Sequence, residues 1–334
     1  MHFSTFIPAI LLLPYTTQAL TYWLDKSCVP GKPLEAPNST PVSGDGTHRW
    51  DVLFDELRAV GKSSRDRLTN ARRDPDFTRA FNAIFRQDTL NFNNGVDQDG
   101  QAALALRKYF MALEGMRHEE VQVNADLRFY CDNDARWVQK TGDGETGWKD
   151  TENHLSTPKC YCKDAGVSAI TYIDYPGQDR LAVQPGTPKT NHNPNRATIT
   201  LCDHAFNKVD AQADPRSNKL ARYLFSDIPE NFDYVDVHLN PRPIDFITST
   251  FTALLLHEIS HTRPFLTKDQ FGDDSYGWHH VAEDVEVDVA RKNAESFMYL
   301  AIISMFQDRN FVLDRRAPAN GDLDREDDVY KPTA

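Results

Sequence analysis

Between Trp50 and Met116, apolar residues recur at helical spacing. Trp50, Leu53, Phe54, Leu57 and Val60 make one stripe, Phe77, Phe81, Ile84 and Phe85 a second, and Ala102 to Leu113 a third helix. Large aromatics at this spacing belong to a packed core, so these helices are assigned to scaffolding. From residue 119 to 206 the period shortens toward two. Val121-Gln122-Val123, Leu127-Arg128-Phe129-Tyr130, Ala169-Ile170-Thr171-Tyr172-Ile173 and Ala197-Thr198-Ile199-Thr200-Leu201 alternate and are rich in β-branched residues, which predicts strands. Helical spacing returns at Ile247, Phe251, Leu254 and Leu255, with Pro243 suited to the helix start and Pro264 to its end. After Gly277 one long helical pattern carries Trp278, Val281, Val285, Val289, Phe297, Leu300 and Ser304 on one side. Glu283, Asp284, Glu286 and Asp288 make its solvated face.

This patterning divides the chain. Phe3 to Leu13 is a short apolar run followed by Thr17-Gln18-Ala19, so residues 1–19 read as a secretory signal peptide. Residues 20–45, rich in Pro, Gly and Ser, are expected to form an N-terminal tether pinned at Cys28. Residues 46–306 are expected to form one domain, helical over 46–118, strand-rich over 119–206 and helical again over 243–306. Residues 307–334, dense in charges of both signs, read as a flexible tail. No later segment is long enough to cross a bilayer, which predicts an exported, extracellular chain without a membrane span.

Composition narrows the choice of partner. The chain has 49 acidic against 37 basic residues and a net charge of -12, which argues against nucleic acid as its partner and mildly favours basic protein substrates. Five cysteines in an oxidising compartment predict disulfides, with the odd count leaving one over. Spacing alone leaves the pairing open. A thiolate zinc site at Cys160 and Cys162 lacks a second close pair. Asn93 to Gly100 lacks the first acidic ligand of a calcium loop, and Gly61-Lys62-Ser63 has Glu56 where a phosphate loop needs its first glycine.

The candidate chemistry lies in His257-Glu258-Ile259-Ser260-His261. Residues four apart share a helix face, so the two imidazoles can converge on one metal ion. Glu258 points elsewhere and can act as a general base beside the ion without binding it. Such a site needs a third protein ligand. Glu283 and Glu286 stand at a plausible distance, but the better candidate is Asp273 in Gly272-Asp273-Asp274-Ser275-Tyr276-Gly277.

These residues resemble the aspzincins, secreted fungal and bacterial metalloendopeptidases that include deuterolysin and the peptidyl-lysine enzymes. Their mark is H-E-x-x-H followed by G-T-x-D-x-x-Y-G; Asp273, Tyr276 and Gly277 fit the second half, whereas Gln270 and Phe271 replace G-T. Asn293-Ala294-Glu295-Ser296-Phe297 is similar to the family's N-A-D-S-Y segment, and Cys160-Tyr161-Cys162 and the strand ending at Cys202 look like its cysteine pattern. The resemblance implies an α+β, zincin-like fold, mainly helical, with a small sheet beside the H-E-x-x-H helix. It implies one zinc ion held by His257, His261 and Asp273, Glu258 as general base and Tyr276 as a donor to the developing oxyanion. It also implies Glu295 as a substrate-binding carboxylate favouring a basic residue after the scissile bond, although Met298 replaces the second such carboxylate of lysine-specific relatives. The implied disulfides are Cys28 with Cys160 and Cys162 with Cys202, leaving Cys131. The expectation is a monomeric, secreted zinc endopeptidase acting on protein or peptide substrates. The alternative is a non-catalytic zinc-binding or host-interaction protein on the same scaffold.

Overall fold

In the computed structural model, which describes residues 19–29, 47–86, 100–142, 146–153, 155–164, 166–173, 196–206, 224–228, 243–248, 250–262, 265, 277–326, 329 and 330, a five-stranded mixed sheet backs a layer of helices. Its order is β2-β1-β3-β8-β7, from β1 (Thr21–Leu24), β2 (Arg117–His118), β3 (Leu127–Tyr130), β7 (Ala169–Ile173) and β8 (Ala197–Leu201). Four strands run parallel, and β7 lies antiparallel against β8 as an edge. A smaller antiparallel sheet joins β4 (Val138–Gln139), β5 (Trp148–Asp150) and β6 (Leu155–Thr157). The chain is thus α+β.

β1 corrects the expectation of a tether beginning at residue 20. Thr-Tyr-Trp-Leu has the aromatic and β-branched content of a strand, and Leu20 and Tyr22 are buried. Tyr22 stacks on Phe54 with ring centroids 3.7 Å apart, and Phe54 meets Phe129 edge-on at 5.4 Å. Conversely, Val121-Gln122-Val123 is no strand. Val121 and Val123 are exposed beside a single 3₁₀ turn, because neither finds an apolar surface to cover.

The scaffold helices α1 (Thr47–Thr69), α2 (Pro75–Phe85) and α3 (Gln101–Glu114) bury the expected stripes. α1 and α3 approach closely at Gly61, where an added Cβ would lie 2.6 Å from the Glu114 nitrogen and 2.7 Å from the Leu113 Cβ. After the short α4 (Asp203–Phe206), the helical pattern around the H-E-x-x-H motif forms two pieces, α5 (Pro243–Thr248) and α6 (Phe251–Ser260). Thr250 accounts for the break: its hydroxyl caps α6 by accepting from the Ala253 N–H at 3.2 Å. The long pattern after Gly277 is likewise divided into a π-helical turn (His280–Asp284), α7 (Val287–Ala290) and α8 (Ala294–Asp308). Asn293 caps α8 by accepting from the Glu295 N–H at 3.0 Å. α8 is buried from Ala294 to Gln307 and packs against α1, α2 and α6.

The expected flexible tail is also corrected. After α8 come β9 (Phe311–Leu313) and β10 (Leu323–Arg325), an antiparallel pair with Phe311, Val312, Leu313 and Leu323 buried. The charges that suggested mobility find partners. Arg309 donates to the carbonyls of Phe225 and Ile228, and Arg315 pairs with the buried Asp76. Arg67 of α1 donates to Asp74, Asp308 and the Tyr330 carbonyl.

The disulfides differ from the implied pairing. Cys162–Cys202 forms, but Cys28 bonds Cys131, and Cys160 is a buried free thiol. The register explains it. β1 and β3 run parallel with Leu24 opposite Phe129, so the residues just beyond both strands emerge at the same end. Cys160 instead packs in a separate cluster with Trp137, Leu155 and Tyr172. The expected signal peptide lies, apart from Ala19, outside the described residues. No helix among the described residues is long and apolar enough to cross a membrane.

Candidate metal centre and active site

α6 is apolar nearly all round, as a helix wedged between a sheet and other helices must be. Its last turn carries His257 and Glu258, both buried, and ends at the half-buried His261. Ser260 and Thr262 close the helix by donating to the carbonyls of His257 and Ile259. On the other side, the Tyr109 hydroxyl of α3 donates to the Leu256 carbonyl, fixing the backbone next to the motif.

The Nε2 atoms of His257 and His261 face each other 3.0 Å apart. Two nitrogens sharing one tetrahedral zinc ion at about 2.0–2.1 Å stand about 3.3 Å from each other, so a small outward rotation of either ring suits the pair to that ion. The opposite nitrogen of His257, Nδ1, lies 2.8 Å from Oε1 of Glu295. The imidazole is therefore gripped from behind while its front nitrogen meets His261.

Glu258 turns away from this pair. Its Oε2 accepts from the Thr171 hydroxyl at 2.6 Å, and the same hydroxyl lies 2.9 Å from the Glu258 carbonyl, so its single proton serves one acceptor at a time. The pleat of β7 explains the contact. Residues 169, 171 and 173 share one face of the strand and 170 and 172 the other, so Thr171 faces α6 while Tyr172 packs in the smaller cluster. Sequence alternation showed which residues share a face but not which face meets the helix, and Thr171 escaped notice for that reason.

His257, Glu258 and Glu295 line a cleft of about 630 Å³ whose other walls include Val167, Ala169, Leu254 and Met298. Asp245 enters it from α5. One of its oxygens accepts from the Trp278 N–H at 2.8 Å and from the Tyr299 hydroxyl. Burial, with the charges of Glu295 and Asp245 nearby, pushes the Tyr299 phenol well above its ordinary range, so it stays protonated and donates. Neither Asp245 nor Tyr299 belongs to a recognisable motif.

Asp273 and Tyr276 lie outside the described residues. Among the described residues no group of three His, Cys, Asp or Glu side chains gathers as a metal site, and Glu283 and Glu286 are exposed. His279 and His280 approach carboxylates one turn further on, Glu283 at 3.2 Å and Asp284 at 3.3 Å. No family model, no curated protein and no solved structure matches this chain.

Proposed function

We propose that the chain is a secreted, zinc-dependent endopeptidase with a zincin-like active site. The observation that carries this reading is the pair of imidazole nitrogens 3.0 Å apart, with the Glu258 carboxylate in the same cleft and bound by the Thr171 hydroxyl. His257, His261 and Asp273 would hold the zinc ion. When bound, the ion supplies positive charge that acidifies water and polarises a carbonyl.

The chain's own groups do the rest. Glu258 accepts the proton of the attacking water and hands it to the leaving amine, which requires a carboxylate in the cleft but not on the metal. Thr171 holds that carboxylate in place. Among the described residues β7 is the outer strand of its sheet and borders the cleft, so its edge can take an extended substrate backbone by main-chain hydrogen bonds. Tyr276 would donate a hydrogen bond to the developing oxyanion. The two disulfides support an oxidising destination, in keeping with export.

The test is incubation of the purified protein, with zinc content measured, against casein and a basic protein, alongside Glu258→Gln. Equal zinc in both with cleavage only by the parent supports the reading. An inert parent that holds zinc points to the non-catalytic alternative, and a parent without zinc removes the metal centre altogether.

A further inference from the structure

The N-terminus of α8 enters the cleft behind His257. The chain Lys292-Asn293-Ala294-Glu295 turns into the helix because the Asn293 side chain accepts the Glu295 N–H, which sets Glu295 in the first turn. An acidic group is favoured there by the unpaired backbone N–H groups at the helix end. From that position Oε1 reaches Nδ1 of His257 at 2.8 Å, with both side chains 9% exposed. Glu295 sits on the opposite side of the ring from the nitrogen facing His261, so it is placed to orient the imidazole and not to join it on an ion. A carboxylate in this relation accepts Nδ1–H, fixes the tautomer with Nε2 unprotonated and increases the ring's basicity as a ligand.

We infer that Glu295 is the positioning residue of His257 and not the receptor of a substrate's basic side chain. The inference rests on the metal-centre reading above. It departs from the resemblance, which implied a substrate-binding role for this carboxylate. A receptor for an ammonium or guanidinium needs acceptor oxygens turned to the substrate and not already engaged. One oxygen of Glu295 is taken by His257, and the other carboxylates of the cleft are engaged too: one oxygen of Asp245 is held by Trp278 and Tyr299, and one of Glu258 by Thr171, with Leu254 and Met298 beside them. Met298, one turn after Glu295, makes this wall apolar where a second carboxylate would serve a basic side chain.

The experiment compares the full-length parent with Glu295→Ala and Glu295→Gln in three readouts. Zinc affinity is measured by competition with a chelator, the His257 tautomer by imidazole ¹⁵N shifts in the metal-free protein, and the residue after the scissile bond by cleavage of a peptide library. Glu295→Ala is expected to weaken zinc binding by roughly 10–100-fold. It should turn His257 from the Nδ1–H form to a mixture and leave the residue preference unchanged. Glu295→Gln, whose amide oxygen can still accept from Nδ1, should recover most of the affinity. Zinc affinity within twofold of the parent in Glu295→Ala, or a basic preference in the parent that this variant abolishes, would overturn the inference. A parent that binds zinc but cuts no peptide sinks the peptidase reading while the affinity readout still decides Glu295. In a parent that binds no zinc, the metal reading fails and a His257 tautomer unmoved by Glu295→Ala overturns the positioning role as well.

Discussion

Replacing Cys28 and Cys131 together by alanine probes the bridge on which the structure and the family resemblance disagree. The bond closes a sequence separation of 103 residues, whereas Cys162–Cys202 closes 40. Loop-closure entropy in the unfolded chain scales with the logarithm of these lengths, giving about 4.7 kcal/mol for the first and about 3.9 kcal/mol for the second at 25 °C. The two loops do not overlap, so the costs of losing both add. Cys160 closes no loop. Its removal as Cys160→Ala trims one atom from the cluster of Trp137, Leu155 and Tyr172, at about 1 kcal/mol. Urea unfolding of this double variant, of the Cys162→Ala, Cys202→Ala pair and of Cys160→Ala under non-reducing conditions measures the order. Burial first, and then the Asp134 charge, pushes the Cys160 thiol above its ordinary range, so it should resist alkylation until the protein unfolds. Mass mapping should then find the label at residue 160. Label at Cys131 instead, or a Cys160→Ala loss as large as that of the Cys28, Cys131 double variant, would refute the pairing and restore the bridge the resemblance implied.

Gly61→Ala should destabilise the fold by about 1–3 kcal/mol despite alanine's better helix propensity, because the new methyl meets backbone atoms of α3 that cannot swing aside; a raised melting temperature would contradict the close approach. Thr171→Val should lower kcat by roughly 10–100-fold with unchanged zinc content, the effect of losing about 1.5–3 kcal/mol of hydrogen bonding to a charged group; a fall in zinc content would show a different role. Burial alone would raise the carboxyl of Asp76, but Arg315 and Arg79 outweigh it and hold the group below its ordinary value. Its folded pKa is depressed, so its contribution is present at neutral pH and is lost as the pH falls through the folded value. Since both arginines are partly solvated, Asp76→Asn should cost only about 0.5–1 kcal/mol at pH 7. That gap should close in acid below about pH 3.9, and a gap constant across pH would remove the ion pairs from the account.

Much of the scaffold was legible because long amphipathic stripes depend on local periodicity. Trp50 to Val60 and Phe77 to Phe85 lie in the core where their spacing put them. The strands at Leu127, Ala169 and Ala197 also form where their alternation put them, the first and last wholly buried and the edge strand at Ala169 half-buried over its first three residues. What escaped depends on distant partners. β1 is four residues long and is defined by strands a hundred residues away, so a Pro- and Gly-rich neighbourhood outweighed it. The tail's charges looked solvated because Asp76, Arg67 and the Phe225 carbonyl, which receive or supply their hydrogen bonds, lie far back in sequence. At the site, the histidine pair follows from helix geometry alone, whereas the roles of Glu295 and Thr171 come from how α8 and β7 meet α6. Helix breaks at Thr250 and Asn293 had a local signal, a capping residue inside an apolar stripe, which periodicity alone passes over.

The guanidinium of Arg67 has a consequence for biogenesis. It belongs to the first helix, yet two of its acceptors arrive 241 and 263 positions later, at Asp308 and at the carbonyl of residue 330. During synthesis the chain must emerge as far as residue 330 before that cation can be fully enclosed, so the interior around α1 cannot seal before those residues arrive. A nascent chain that stays open this long suits the export proposed above, and the cleft between α6, β7 and α8 would then be completed only after passage.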